Sequence, residues 1–142
     1  MITIGAMIKA SGRGIFSVQS QQTVFEALQF MATKNIGAVL VIDQGALVGI
    51  FSERDYARKV ALKGLASTST TVQEVMSAQV RCARLDDTVM GCMDLMTQKH
   101  IRHLPVLEDQ RLLGILSIGD LVKAVIEDQQ FQIKQLEEYI RA

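Results

Sequence analysis

Apolar residues recur along this chain with two periods, helical and extended, in a fixed alternation. Val24, Ala27, Leu28 and Met31 fall at i, i+3, i+4 and i+7, as do Val89, Cys92, Met93 and Met96. Each set predicts an amphipathic helix about three turns long with one buried stripe. Thr23 and Thr88 stand immediately ahead of them as N-caps. Two short apolar runs follow each helix, Ala38–Ile42 and Leu47–Phe51, then Leu104–Leu107 and Leu112–Leu116. Asp43-Gln44-Gly45 and Glu108-Asp109-Gln110-Arg111 between the runs predict tight hairpins. Ile15–Val18 and Val80–Ala83 predict one more short strand ahead of each helix.

The alternation is a repeat. Residues 23–60 align with 88–125 at a constant offset of 65 without a gap, and 12 of the 38 pairs are identical, among them Thr23/Thr88, Met31/Met96, Lys34/Lys99 and Ile36/Ile101. An ungapped register of that length means two copies of one supersecondary unit. A three-stranded sheet with one covered face is too small to stand alone, so the two units are expected to pack sheet to sheet in a single α+β module.

The most alike stretch in the two copies is Gly49-Ile50-Phe51-Ser52-Glu53-Arg54-Asp55 against Gly114-Ile115-Leu116-Ser117-Ile118-Gly119-Asp120. Each ends a strand, turns through a serine and reaches an aspartate as a helix begins. Free backbone N–H groups and the macrodipole favour an anion at such a helix start, and an ionised carboxylate accepts hydrogen bonds from ribose hydroxyls. Serine and acid at this spacing also make a capping box, which needs no ligand. Arg54, Arg58 and Lys59 stand near the first corner, and Arg102-His103 precede a strand in the second copy.

Composition narrows the field. Apolar residues make up 49% and aromatic residues 5% of the 142-residue chain, so the core is expected to be aliphatic and rich in methionine. Formal net charge is zero, which argues against nucleic acid or an anionic membrane as partner. No stretch approaches membrane-spanning length, and Met1–Val18 lacks a basic start with an apolar block, so a cytoplasmic protein is expected. Cys82 and Cys92 read as core-filling thiols in a reducing compartment rather than a redox pair. Without a CxxC or Cys/His cluster no metal site is expected.

The element order strand–helix–strand–strand–helix, the run Ile101-Arg102-His103-Leu104-Pro105-Val106 and the two serine–aspartate corners resemble the CBS domain, named after cystathionine beta-synthase. The resemblance covers nearly the whole chain and is to small stand-alone bacterial proteins made of one tandem pair. It implies a first unit over residues 1–66 and a second over 67–142, carrying the helical extension. Members of that family bind AMP, ADP, ATP, NAD, S-adenosylmethionine or nothing, so the resemblance implies an adenosine-nucleotide sensor that regulates an unidentified protein. It further implies a cleft between the units in which Asp120, Ser117, Ile115, Arg102 and His103 are joined by Ile36, Gly37 and Ala38. A pseudo-symmetric site would use Asp55, Ser52, Arg54 and Ile50, with Ile101 and His103 opposite. Small residues would let adenine approach backbone amides, and arginine would meet phosphate. The chain departs from the family pattern at Leu40, where many first units carry the proline that Pro105 supplies in the second.

Further segments flank the aligned repeats. Thr3–Ile8 predicts a short helix leading into the first sheet, with Thr71–Met76 as its counterpart, and Lys9–Gly14 reads as a glycine-bearing basic turn. Beyond Asp120, Val122, Ile126, Gln129, Ile133, Leu136 and Ile140 alternate spacings of four and three, the seam of a coiled coil. That helix is expected to meet a second copy in a homodimer, the alternative being that it folds back over its own core. Two other functions compete with nucleotide sensing. One is a structural dimerisation module with empty clefts. The other is a hydrolase with Ser52 or Ser117 as nucleophile and His100 or His103 as base, which the absence of a G-x-S-x-G elbow weighs against.

Overall fold

A computed structural model of the chain describes residues 2–11 and 15–141. It contains two three-stranded sheets of the same topology. In the first, β1 (Ser17–Val18) runs parallel to β2 (Ala38–Asp43), which pairs antiparallel with β3 (Ala46–Ser52). In the second, β4 (Ala83–Arg84), β5 (His103–Glu108) and β6 (Arg111–Ser117) repeat the order. Each sheet carries one bulge at the same place, between Val41/Ile42 and between Val106/Leu107. The hairpin turns also match. Gln44 and Gly45 have φ of 50° and 79°, Asp109 and Gln110 of 48° and 67°. Two consecutive left-handed residues are what the twist of a two-residue hairpin demands. Only the first turn meets that demand with a glycine.

The parallel step from β1 to β2, and from β4 to β5, is made by the two amphipathic helices, α2 (Val24–Lys34) and α5 (Val89–Lys99). Thr23 caps α2, its hydroxyl accepting from the Glu26 amide at 3.1 Å, while Glu26 Oε1 accepts from the Thr23 amide at 3.2 Å. Thr88 caps α5 by accepting from Gly91 N at 3.0 Å. Both helices end on a left-handed residue, Asn35 (φ 54°) and His100 (φ 55°). The expected stripes are the buried ones: Val24, Ala27 and Met31, and Val89, Cys92 and Met96.

The chain divides into two compact units, Ile15–Arg81 and Met1–Gly14 together with Cys82–Ala142. In this division the two short leading helices are exchanged between the repeats. The helix α1 (Ile4–Ser11) joins the core of the second repeat, where Ile4 is fully buried and Met7 and Ile8 pack beside it. Its backbone is tied there by Ile4 N to Asp87 O (2.8 Å), Gly5 N to Leu85 O (2.9 Å) and Val89 N to Ile2 O (3.0 Å). Reciprocally, α4 (Val72–Val75) buries Val72 and Val75 in the core of the first repeat, with Val72 N bonded to Gln22 O and Gln73 N to Ser20 O, both at 2.9 Å. Thr3–Ile8 therefore does not lead into the first sheet. The segment Lys9–Gly14 splits: α1 extends to Ser11, and Gly12–Gly14 lie outside the described residues.

Each core is the helix-facing side of its sheet. Val39, Val41 and Phe51 meet α2 and α4 in one unit, and Leu104, Val106 and Leu116 meet α1 and α5 in the other. Burial pushes the thiol pKa of Cys82 and Cys92 upward, and the charge of Asp87 adds to the effect at Cys92. A raised pKa disfavours the reactive thiolate at both positions. No described helix is long and apolar enough to cross a membrane.

Candidate functional site

Because side chains alternate across a strand, the residues between the core-facing ones point to the opposite face. In the first unit Ala38 pairs with Ser52 and Leu40 with Ile50; in the second His103 pairs with Ser117 and Pro105 with Ile115. These positions carry the predicted ligand-contacting residues, gathered at the end of each hairpin where the strand gives way to a helix.

At the first corner, α3 (Glu53–Asp55) continues as a π-helical stretch, Tyr56–Ala61. Ser52 Oγ accepts from the Asp55 amide at 3.1 Å, and Asp55 Oδ2 accepts from the Ser52 amide at 3.0 Å. The helix start is also tied back across the hairpin, since Glu53 N donates to Gly37 O at 3.0 Å. The other carboxylate oxygen, Asp55 Oδ1, meets Lys59 Nζ at 3.2 Å, and Lys59 Nζ also donates to Val75 O at 3.0 Å. The second corner is built by the same rules at the head of α6 (Ile118–Arg141). Asp120 N donates to Ser117 Oγ at 3.1 Å, Ser117 N to Asp120 Oδ2 at 2.8 Å, and Ile118 N to Arg102 O at 2.9 Å.

The residues of the two predicted sets are divided between the units, so neither set lies within one of them: Ile36, Gly37, Ala38, Ile50, Ser52, Arg54 and Asp55 belong to one unit, and Ile101, Arg102, His103, Ile115, Ser117 and Asp120 to the other. Their roles within the sets differ. Ile36 and Ile101 pack against their own helical cores. Gly37 and Arg102 contribute backbone carbonyls to the helix start, and the Arg102 residue is exposed while Arg54 is half-buried. His103 lies directly across the ladder from Ser117. His100, the other candidate base, is the left-handed cap of α5, with its amide bonded to Met96 O.

The capping-box reading of both corners is therefore realised. At both corners the cap runs through Oδ2 of the aspartate, and at the first Oδ1 is paired with Lys59. The pairing of Lys59 with Asp55 was readable in advance from the i, i+4 spacing. At the offset of 65, Ala124 replaces Lys59, so the second corner has no ammonium at that position. The carbonyl ties from Gly37 and Arg102 left no mark in residue type, since any residue can supply them. Among the described residues no group of three or more His, Cys, Asp or Glu is placed to hold a metal ion.

Comparison with known proteins places this architecture. A family model described as the CBS domain matches residues 7–62 and again 72–127. A mitochondrial CBS domain-containing protein of Arabidopsis thaliana, CBSX3, is 34% identical over 148 aligned positions, covering 98% of this chain and 72% of its own. A solved protein with CBS domains from Burkholderia ambifaria is 48% identical with a TM-score of 0.86, over 89% of this chain and 96% of that one. At the level of fold alone, the chain also matches a CBS domain pair solved in complex with 5-methylthioadenosine and S-adenosyl-L-methionine, with 24% identity and a TM-score of 0.75 over 86% and 96% of the two chains. The chain belongs to the CBS-domain family, as a tandem pair.

Proposed function

We propose that the protein is a regulatory module that binds an adenosine nucleotide (AMP, ADP, ATP or NAD) at its serine–aspartate corners and passes the binding event to a partner protein. The observation that carries this reading is the repetition of one constellation. Two strand–helix junctions, 65 residues apart, hold a serine and an aspartate in the same mutual geometry with polar or small residues directly across the hairpin. The long α6 gives the second corner the stronger helix N-terminus for phosphate, and Arg102 and His103 add two nitrogen-bearing side chains beside it. An ionised carboxylate accepts hydrogen bonds and so suits a ribose diol.

A hydrolase is the weaker alternative, because no G-x-S-x-G serine elbow is present in the sequence. Two copies are further proposed to associate through α6, whose apolar stripe is exposed in the single chain. Calorimetry with each of the four nucleotides, and with GMP as control, tests the ligand reading. Heat from at least one adenine ligand and none from GMP is expected. Silence from every adenine ligand at millimolar concentration would leave the structural-module alternative in its place.

A further inference from the structure

The last helix leaves its own unit after two turns. Leu121 is fully buried and Val125 packs on the core, yet every residue from Gln129 to Arg141 is exposed. That free portion is not polar all round. Ile126, Ile133, Leu136 and Ile140 are 49%, 56%, 62% and 80% exposed, and with Val122 and Gln129 they follow one another at spacings of four and three. In heptad terms Ile126, Ile133 and Ile140 occupy a, while Val122, Gln129 and Leu136 occupy d. Within parallel coils, β-branched residues at a with leucine at d favour two strands; here every a position is isoleucine and Leu136 is the one leucine among the three d positions.

We propose that α6 pairs with α6 of a second copy as a parallel two-stranded coiled coil in which Gln129 meets the partner's Gln129. This rests on the association proposed above and deepens it by fixing the strand number, the direction and the register. The choice of direction turns on Gln129. In the parallel arrangement each layer meets its own copy, so the amide, with both donors and an acceptor, faces an identical amide and the pair satisfies itself. In the antiparallel arrangement a meets d, and both glutamines would face Ile133 of the other strand. An amide buried against an alkyl group loses its water without a replacement. The antiparallel arrangement would gain Lys123 beside the partner's Glu137 on its flank. Exposed ion pairs of that kind are weak and screened by salt, so they do not offset two orphaned amides. In the parallel arrangement the flanking g and e′ positions place Gln132 beside the partner's Glu137, without like-charge repulsion. A single polar residue at an a position is known to set register at some cost in stability, and Gln129 is proposed to do the same from d.

The test uses the full chain and two residues separated by one position. Ile133 (a) and Phe131 (f, 59% exposed) are both solvent-exposed apolar residues of the same helix, so neither substitution should unfold the single chain. Light scattering across a concentration series is expected to show that Ile133→Asp weakens self-association at least tenfold while Phe131→Asp leaves it unchanged. Under mild oxidation Gln129→Cys should form an intermolecular disulfide, with the parent chain giving the background from Cys82 and Cys92. A parent chain that is monomeric at every concentration overturns both the association and the coil. A dimer that is equally insensitive, or equally sensitive, to both substitutions overturns the coil but leaves association standing. A dimer that needs Ile133 yet does not cross-link through position 129 overturns the parallel register.

Discussion

At the scale of single residues, the two repeats share positions without sharing environments. Asp120 is the clearest test of the proposed ligand role. Asp120→Ala should weaken adenosine-nucleotide binding by about 1.5–3 kcal/mol, the range for a hydrogen bond to a charged group. It should also cost about 1 kcal/mol of stability through the lost cap. Calorimetry and thermal melting measured together separate these effects, and a lower Tm with unchanged affinity would reduce Asp120 to a capping residue. Gly49 and Gly114 offer a second contrast. A Cβ at Gly49 would lie 2.6 Å from Met76 Sδ and 3.0 Å from Ser77 O, whereas at Gly114 its nearest neighbour would be Ile8 Cδ1 at 3.5 Å. The sulfur can swing away, but the carbonyl is fixed by its ladder bond to Ile50 N. Gly49→Ala should therefore cost about 1–3 kcal/mol as overpacking. Gly114→Ala should be neutral or slightly stabilising, since alanine narrows the unfolded ensemble. Urea melts of the two variants give the comparison, and equal losses would show that the loop at Met76 yields freely.

At the scale of elements, the exchange of α1 and α4 makes a prediction that sequence proximity would reverse. Ile4 is fully buried among Val89, Cys92, Met96 and Leu104, although β1 and α2 are its nearest strand and long helix in sequence. Ile4→Ala should cost about 2–5 kcal/mol, and the loss should fall on the second repeat. Hydrogen exchange followed by mass spectrometry is expected to show faster exchange in α5 and β5 with α2 and β2 unchanged. Acceleration of α2 and β2 instead would assign α1 to the first repeat. The reason this exchange could not be read in advance is physical. Periodicity in Thr3–Ile8 and Thr71–Met76 reveals which face of each helix is apolar but not which of two near-identical sheets accepts it. By contrast, α2, α5, both hairpins and both corners were legible, because their signals are local: apolar stripes at helical spacing, turn residues, and serine with aspartate three positions on. The left-handed caps at Asn35 and His100 fall between these cases. Asparagine at such a site is a familiar preference. At His100 the left-handed backbone serves as a cap through its amide, a role that the residue type did not signal. The π-helical stretch after Asp55 had no sequence signal, since its residues suit an ordinary helix equally well.

At the scale of the whole molecule, the serine–aspartate corners and the C-terminal stripe are separable parts of the chain. α6 is 24 residues long, about 36 Å at 1.5 Å per residue. Its first turn carries Asp120 and the buried Leu121, while its remainder carries the stripe. A chain ending at Glu127 keeps both corners and every α6 residue of the second core, and loses Ile133, Leu136 and Ile140. Burying an aliphatic side chain contributes roughly 1.5–3 kcal/mol, and association costs about 4–15 kcal/mol in lost freedom. Six such side chains across two copies therefore leave a modest surplus, which their removal should abolish. Light scattering at matched concentration should show the truncated chain as a monomer when the parent chain is a dimer. Its adenosine-nucleotide heat should be unchanged, and so should its Tm at dilutions where both chains are monomeric. A truncated chain that stays dimeric with the parent's affinity would move the dimer contact to another surface. A truncated chain that loses nucleotide heat while remaining folded would tie ligand binding to assembly.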